Sequence, residues 1–201
     1  MKHVFILILF FSFSFSFVFG QDKHIESSQD FQEKLNREYA DAKESPLMEA
    51  DLAVFKNLDF FPISEKYVIN ATFIRTKKEK VFQMKTSTNR LPEYKKYGEF
   101  HFMLEGKKLQ LNVYQNIDLI KKKDYKDYLF LPFSDVTNGT ETYIGGRYID
   151  VRIQKGGKWT IDFNKAYNPY CAYNYKYSCP IVPLDNDLPI EIKAGVKKFH
   201  D

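Results

Sequence analysis

Apolar residues change their spacing once along this chain, near Pro62. Before that point they recur every three or four residues. Phe31, Leu35, Tyr39 and Ala42 fall on one face and predict a helix near Gln29–Lys43, capped by Ser27 or Ser28. Ser45-Pro46 is a second start signal, with Leu47, Ala50, Val54 and Leu58 as the inner stripe of a shorter helix that Phe60-Phe61-Pro62 ends. After Pro62 the apolar positions alternate. Tyr67–Arg75 and Lys80–Thr86 read as strands joined by Lys77-Lys78-Glu79. Glu99–Asn116 reads as a hairpin. A two-residue loop at Gly106-Lys107 sets Leu104 opposite Leu109, Phe102 opposite Leu111 and Phe100 opposite Val113. Tyr128–Phe133 is a further apolar strand, cut by Pro132, and Thr140–Tyr148 resumes an extended pattern after the turn signal Asn138-Gly139. The predicted class is mainly β: an antiparallel barrel or strongly bent sheet with one or two N-terminal helices, α+β overall. The helical part covers about 27–58 and the β part about 66–197.

A second hairpin is predicted to turn at Lys155-Gly156-Gly157. A three-residue loop sets Ile153 opposite Trp159, Val151 opposite Ile161 and Ile149 opposite Phe163, a coherent apolar face. The other face then carries Asp150 opposite Asp162, Tyr148 opposite Asn164 and Arg152 opposite Thr160, with Arg147 nearby. Two opposed carboxylates need a cation or a shared proton. Two readings stay open: an internally satisfied Asp–Arg–Asp cluster that fixes the sheet, and a carboxylate pair, Asp150 and Asp162, serving acid/base chemistry, an ion or a polar ligand.

The next stretch holds Tyr167, Tyr170, Tyr173, Tyr175 and Tyr177 with Asn164, Asn168 and Asn174, stiffened by Pro169, Pro180, Pro183 and Pro189. Tyrosine joins an apolar ring to a polar tip. Such a loop either seals one end of the barrel or forms an aromatic-lined binding wall. It also holds the only two cysteines, Cys171 and Cys179, which compartment and parity favour as a disulfide. Two thiols do not complete a zinc site, and the four histidines, His3, His24, His101 and His200, make no close pair, so no metal or cofactor is expected.

The address comes from the first twenty residues. Lys2 and His3 precede an apolar run, Val4–Phe19, broken only by serines, and Val18-Phe19-Gly20 fits a signal peptidase site. As a helix this run spans about 24 Å, short of the roughly 30 Å hydrocarbon core. The expectation is an exported, periplasmic or extracellular protein: signal peptide 1–20, one globular domain over 21–201, and no membrane span after signal removal. The formal net charge of +4 is too balanced to imply nucleic acid, and Asp124 and Asp127 partly offset Lys121–Lys123. No Walker or GxGxxG pattern occurs.

Four segments carry a resemblance: SPL at Ser45–Leu47, NLDFFP at Asn57–Pro62, LFLPFSDVTNGTETYIGGRYIDV at Leu129–Val151, and IDFNKAYNPYCAYNYKYSCPIVPLDNDLPIEIKAGVK at Ile161–Lys197. Together they resemble the bacterial and archaeal domain-of-unknown-function family 1684. The matched positions include Tyr143, Gly146, Arg147, Tyr148, Asp150, Asp162, Asn164, Tyr167, Asn168, Cys171, Asn174, Cys179, Asn186 and Gly195. The resemblance implies a compact domain and assigns no reaction, cofactor or partner. Where the family's tail usually reads AGEK, this chain has Ala194-Gly195-Val196-Lys197.

The leading functional expectation is a binding module for a small polar or carbohydrate-like ligand. Arg147, Asp150, Asp162, Asn164, Asn168 and Asn174 would supply hydrogen bonds, and Tyr148, Tyr167 and Tyr173 stacking surfaces. The alternatives are a hydrolase using the aspartate pair and a structural or interaction protein of the cell envelope.

Overall fold

The computed structural model describes residues 19–200, with side chains from Ser28 onward. The expected signal segment lies outside these, save for the backbone of its last two residues. Among the described residues two helices, α1 (Phe19–Ala40) and α2 (Glu49–Val54), precede eight strands. These are β1 (Val68–Arg75), β2 (Val81–Gln83), β3 (Glu93–Leu104), β4 (Lys107–Asn116), β5 (Tyr128–Asp135), β6 (Arg147–Arg152), β7 (Lys158–Asp162) and β8 (Asp187–Leu188). The main path runs β6-β5-β4-β3-β1-β7, all antiparallel, and curls into a half-barrel; β2 adds to β3 and β8 runs parallel to β5.

Alternation along each strand fills the concave side. Ile69, Phe100, Phe102, Leu111, Val113, Leu129, Leu131, Ile149, Trp159 and Ile161 all belong to one buried cluster. The β3–β4 turn is Glu105-Gly106, one residue earlier than the sequence suggested, and both residues have positive φ, 51° and 74°. Phe102 therefore pairs with Leu109 and Phe100 with Leu111. This slip of two positions on the facing strand leaves every side chain on its expected face, because the strand period is two. His101 stays on the outward side, its Nε2 3.1 Å from the Glu99 carboxylate.

A bulge between Lys96 and Gly98 breaks the alternation of β3. There the backbone passes so close to its neighbour that a Cβ on Gly98 would lie 2.4 Å from the Phe73 ring and 2.6 Å from the Ile74 carbonyl. Beyond the bulge Tyr94 turns outward. It joins Tyr114, Phe130, Tyr148 and Met84 in a second cluster on the convex face.

The predicted second hairpin does not form. β6 pairs with β5, setting Asp150 beside Phe130, and β7 pairs with β1, setting Asp162 beside Val68. The two strands end opposite edges of the sheet. The apolar pattern placed Ile149, Val151, Trp159 and Ile161 on one face correctly. Side chains that meet across the inside of a curled sheet satisfy that pattern as well as ladder partners do. The edge of β6 pairs instead with the segment after β7: Tyr148 and Tyr167 exchange backbone hydrogen bonds of 2.9 and 3.0 Å.

Residues 190–196 cover the remaining opening with Ile190, Ile192, Ala194 and Val196, all buried. Gly195 (φ +74°) lies so close to the chain after β7 that a Cβ would meet the Ala166 carbonyl at 2.5 Å. On the helical side, Leu35 and Tyr39 of α1 pack with Leu47, Leu58, Tyr173 and Val196. The second helix is only six residues long. Leu47 and Leu58 are buried from irregular chain on either side of it, and Val54, assigned to its inner stripe, is 76% exposed. Thr140–Tyr148 is a tight turn rather than extended chain until β6 begins at Arg147.

Candidate functional site

The convex face of β5 and β6, one side of α1 and the segment Tyr167–Pro180 enclose a cleft of about 420 Å³. Phe31, Lys34, Leu35 and Glu38, three or four residues apart on α1, form one wall. Tyr128 and Phe130 of β5 and Tyr148 and Asp150 of β6 form the floor, with Tyr94 beside them. Tyr167, Tyr170, Tyr177, Ser178, Cys179 and Pro180 close the third side.

The rings stand at steep angles to one another. Phe130 and Tyr148 meet edge-to-face at 4.7 Å between centroids, and Tyr148 and Tyr167 at 6.0 Å and 89°. Asp150 is the polar centre. Its Oδ1 accepts from the hydroxyls of Tyr128 (2.8 Å) and Tyr167 (2.6 Å). Burial first, and then the negative charge of Asp150, push both phenols well above their ordinary range, so they stay neutral donors. The Tyr148 hydroxyl donates to the Pro180 carbonyl and ties the floor to the third wall. Burial raises that phenol too.

Of the residues selected from sequence, Tyr148, Asp150 and Tyr167 line this cleft. The others serve the frame. Arg147 points into the barrel, fully buried, bonded to Asp135 at 2.8 Å and to the carbonyls of Ile192 and Ala194. Asp162 accepts from Ser28 Oγ at 2.5 Å and from the Asn164 backbone and amide at 3.0 and 2.9 Å, so it anchors α1 and caps the turn after β7. Asn164 also pairs with both backbone groups of Ser64. Asn168 donates to the Lys197 carbonyl, and Asn174 shapes the turn to Lys176. Tyr173 packs its ring edge-on against Tyr39 at 4.9 Å. Asp150 and Asp162 therefore hold separate partners on separate strands, and the facing pair that two-carboxylate chemistry needs is not made.

Sequence reasoning missed Tyr128 and Phe130. The signal was there: Tyr128–Phe133 is apolar at every position, the mark of a strand covered on both faces. It also missed the α1 wall. There Lys34 and Glu38 form a solvated ion pair, 3.5 Å apart at the cleft's rim.

Both cysteines are free thiols rather than the expected disulfide. The Cys171 N–H donates to Cys179 Sγ at 3.1 Å, and Tyr143 Oη lies 3.8 Å from Cys171 Sγ. The hydrogen bond from the Cys179 thiol, helped by Tyr143, holds Cys171 down at about 6, and the same bond with burial pushes Cys179 up. In the reduced protein, iodoacetamide labelling of Cys171, followed by mass spectrometry, is expected to reach half its maximal rate near pH 6 rather than about 8.5. Cys179 is expected to label far more slowly. Equal rates at the two sulfurs, or a midpoint near pH 8.5 for Cys171, would contradict this geometry.

A second, shallower concavity of about 530 Å³ lies along β1, β3 and β4 near His101. Among the described residues no cluster of three or more metal-ligating side chains occurs, and no helix is long and apolar enough to cross a membrane.

A family profile described as "Protein of unknown function (DUF1684)" matches residues 53–197. The chain is also similar to the solution NMR structure of an uncharacterized protein of Haloarcula marismortui. The two share 28% identity over 89% of this chain and 96% of that one, with a TM-score of 0.70. Among curated proteins none matches.

Proposed function

Because the chain belongs to the DUF1684 family, whose description assigns no activity, we propose a function from the cleft itself: an exported module that binds a small polar ligand against the aromatic floor around Asp150. One observation carries this reading. A carboxylate held by two phenols sits in a concave, ring-lined space within the roughly 300–1,000 Å³ range of small-ligand sites. The hydrolase reading loses its support, because Asp150 has no carboxylate partner across a ladder.

Thermal-shift screening of the purified chain against small polar metabolites tests the proposal. A ligand at one hundred times its Kd is expected to stabilise the fold by about 2.7 kcal/mol. Tyr167→Phe, which leaves the ring and removes one hydrogen bond to Asp150, is expected to weaken that effect. A panel-wide absence of stabilisation would overturn the binding reading. Export is part of the proposal and rests on Val4–Phe19. Fractionation of cells expressing the full chain tests it, with retention in the cytoplasm as the adverse result. In an oxidising compartment a protein disulfide would take up the two electrons and two protons of Cys171 and Cys179 as they join. The readout is loss of both labelling sites together.

A further inference from the structure

This inference rests on the proposal that the cleft binds a ligand, and names the ligand's chemistry. We propose that the cleft recognises an alkylammonium group, seated on the free side of Asp150 and faced by the rings of Tyr148 and Tyr167.

The first ground is where the protons point. Tyr128 and Tyr167 spend their hydroxyl protons on Asp150 Oδ1, at 2.8 and 2.6 Å, and Tyr148 spends its own on Pro180. The floor therefore offers acceptors and ring faces but few donors. A sugar presents hydroxyls that both give and take, and it would leave its acceptors unserved here. An ammonium only gives.

The second ground is charge. Asp150, Glu38 and Lys34 are the charged residues lining the cleft, two negative and one positive. Lys34 pairs with Glu38 at 3.5 Å, within its own helix. Asp150 takes only phenol bonds, and no ion pair among the described residues includes it. Its charge is left to face the cleft, where the residue is exposed.

The third ground is ring geometry. Tyr148 and Tyr167 stand at 89° to each other, and Phe130 meets Tyr148 at 75°. Aromatic rings lining a cleft around a carboxylate attract a cation more than a neutral group of equal size. Neither the phenols nor the rings would distinguish a primary from a quaternary ammonium by charge. Only the primary form can donate to Asp150 Oδ2.

Isothermal titration of the full mature chain with choline, n-butylammonium and the uncharged choline isostere 3,3-dimethylbutan-1-ol decides the matter. Simple neutral sugars form a fourth arm. At least one cation is expected to bind tenfold or more tightly than the isostere, with affinity falling as salt rises. Asp150→Asn, which keeps an oxygen for both phenols, is expected to remove that tenfold preference. Lys34→Gln, a change on an exposed helical position, is expected to tighten cation binding severalfold, and it does not depend on the floor surviving mutation. If sugars or the neutral isostere bind as well as the cations do, the charge assignment is overturned while the cleft stands as a binding site. If none of the four arms binds and the wider polar panel also fails, both proposals fall.

Discussion

Replacing Arg147 by alanine is expected to lower the stability of the fold by about 3–5 kcal/mol, the scale of breaking a buried ion pair by removing one partner. The guanidinium is wholly enclosed. It holds Asp135 at 2.8 Å and reaches the carbonyls of Ile192 and Ala194. Burial pulls Arg147 below its ordinary range, and Asp135 offsets only part of that. The carboxylate of Asp135 has further duties: it accepts from the Thr137 N–H and hydroxyl at 2.9 and 2.6 Å and from the Ile192 N–H at 3.1 Å. Taking away the arginine strands a buried negative charge and frees the carbonyls of Ile192, Ala194 and Val196 in the covering segment. Arg147→Lys keeps the charge but not the planar fork, so it is expected to recover only part of the loss. Urea denaturation of the three proteins measures this. A change under 1 kcal/mol in Arg147→Ala would show that residues 190–196 are held by their apolar side chains alone.

The second large effect is expected at Asn186. Pro132 lies in the middle of β5, where it has no N–H to give. β4 and β5 pair in register only at Tyr114 and Phe130. The amide of Asn186, fully buried, fills the gap. Its oxygen accepts from the Asn112 N–H at 2.8 Å, and its nitrogen donates to the carbonyls of Asn112 (2.8 Å) and Pro132 (2.5 Å). Asn186→Ala leaves three buried backbone groups unserved, and each such group costs about 1–3 kcal/mol. A loss of about 3 kcal/mol or more is therefore expected, by the same urea measurement. Asn186→Asp should be as damaging, since a carboxylate cannot donate to either carbonyl. Near-neutral stability of both variants would mean that water takes the amide's place.

These two residues also mark how far the sequence could be read. Faces were legible almost everywhere, because alternation reports which side of a strand is dry. Phe100, Leu111, Ile149 and Trp159 all point where the pattern put them. Partners were less legible. The glycines at 156 and 157 suggested that β6 and β7 were neighbours, yet the chain between them crosses from one edge of the sheet to the other. A local pattern does not encode curvature, and curvature decides which edges approach. The same limit hid the role of Arg147. It lies in step with Ile149 and Val151, and an arginine at an inward position reads as polar from composition though it is buried by position.

The candidate site was legible in part for the same reason. Asp150, Tyr148 and Tyr167 came from a stretch too rich in hydrogen-bonding groups for an apolar core, and they meet in the cleft. Asp162 and Asn164 came from the same stretch and went to the frame, since a carboxylate at a strand end can cap the turn that follows and hold a side chain of α1 at once. Only burial separates those fates, and burial belongs to the assembled chain.

The covering segment imposes an order of events. Ile190, Ile192 and Ala194 lie downstream of every strand whose interior they shield, and Arg147 waits for carbonyls made more than forty residues after it. A chain that emerges amino end first must hold its apolar interior open until that stretch arrives. Such a late clasp delays locking of the interior until the whole strand set is made.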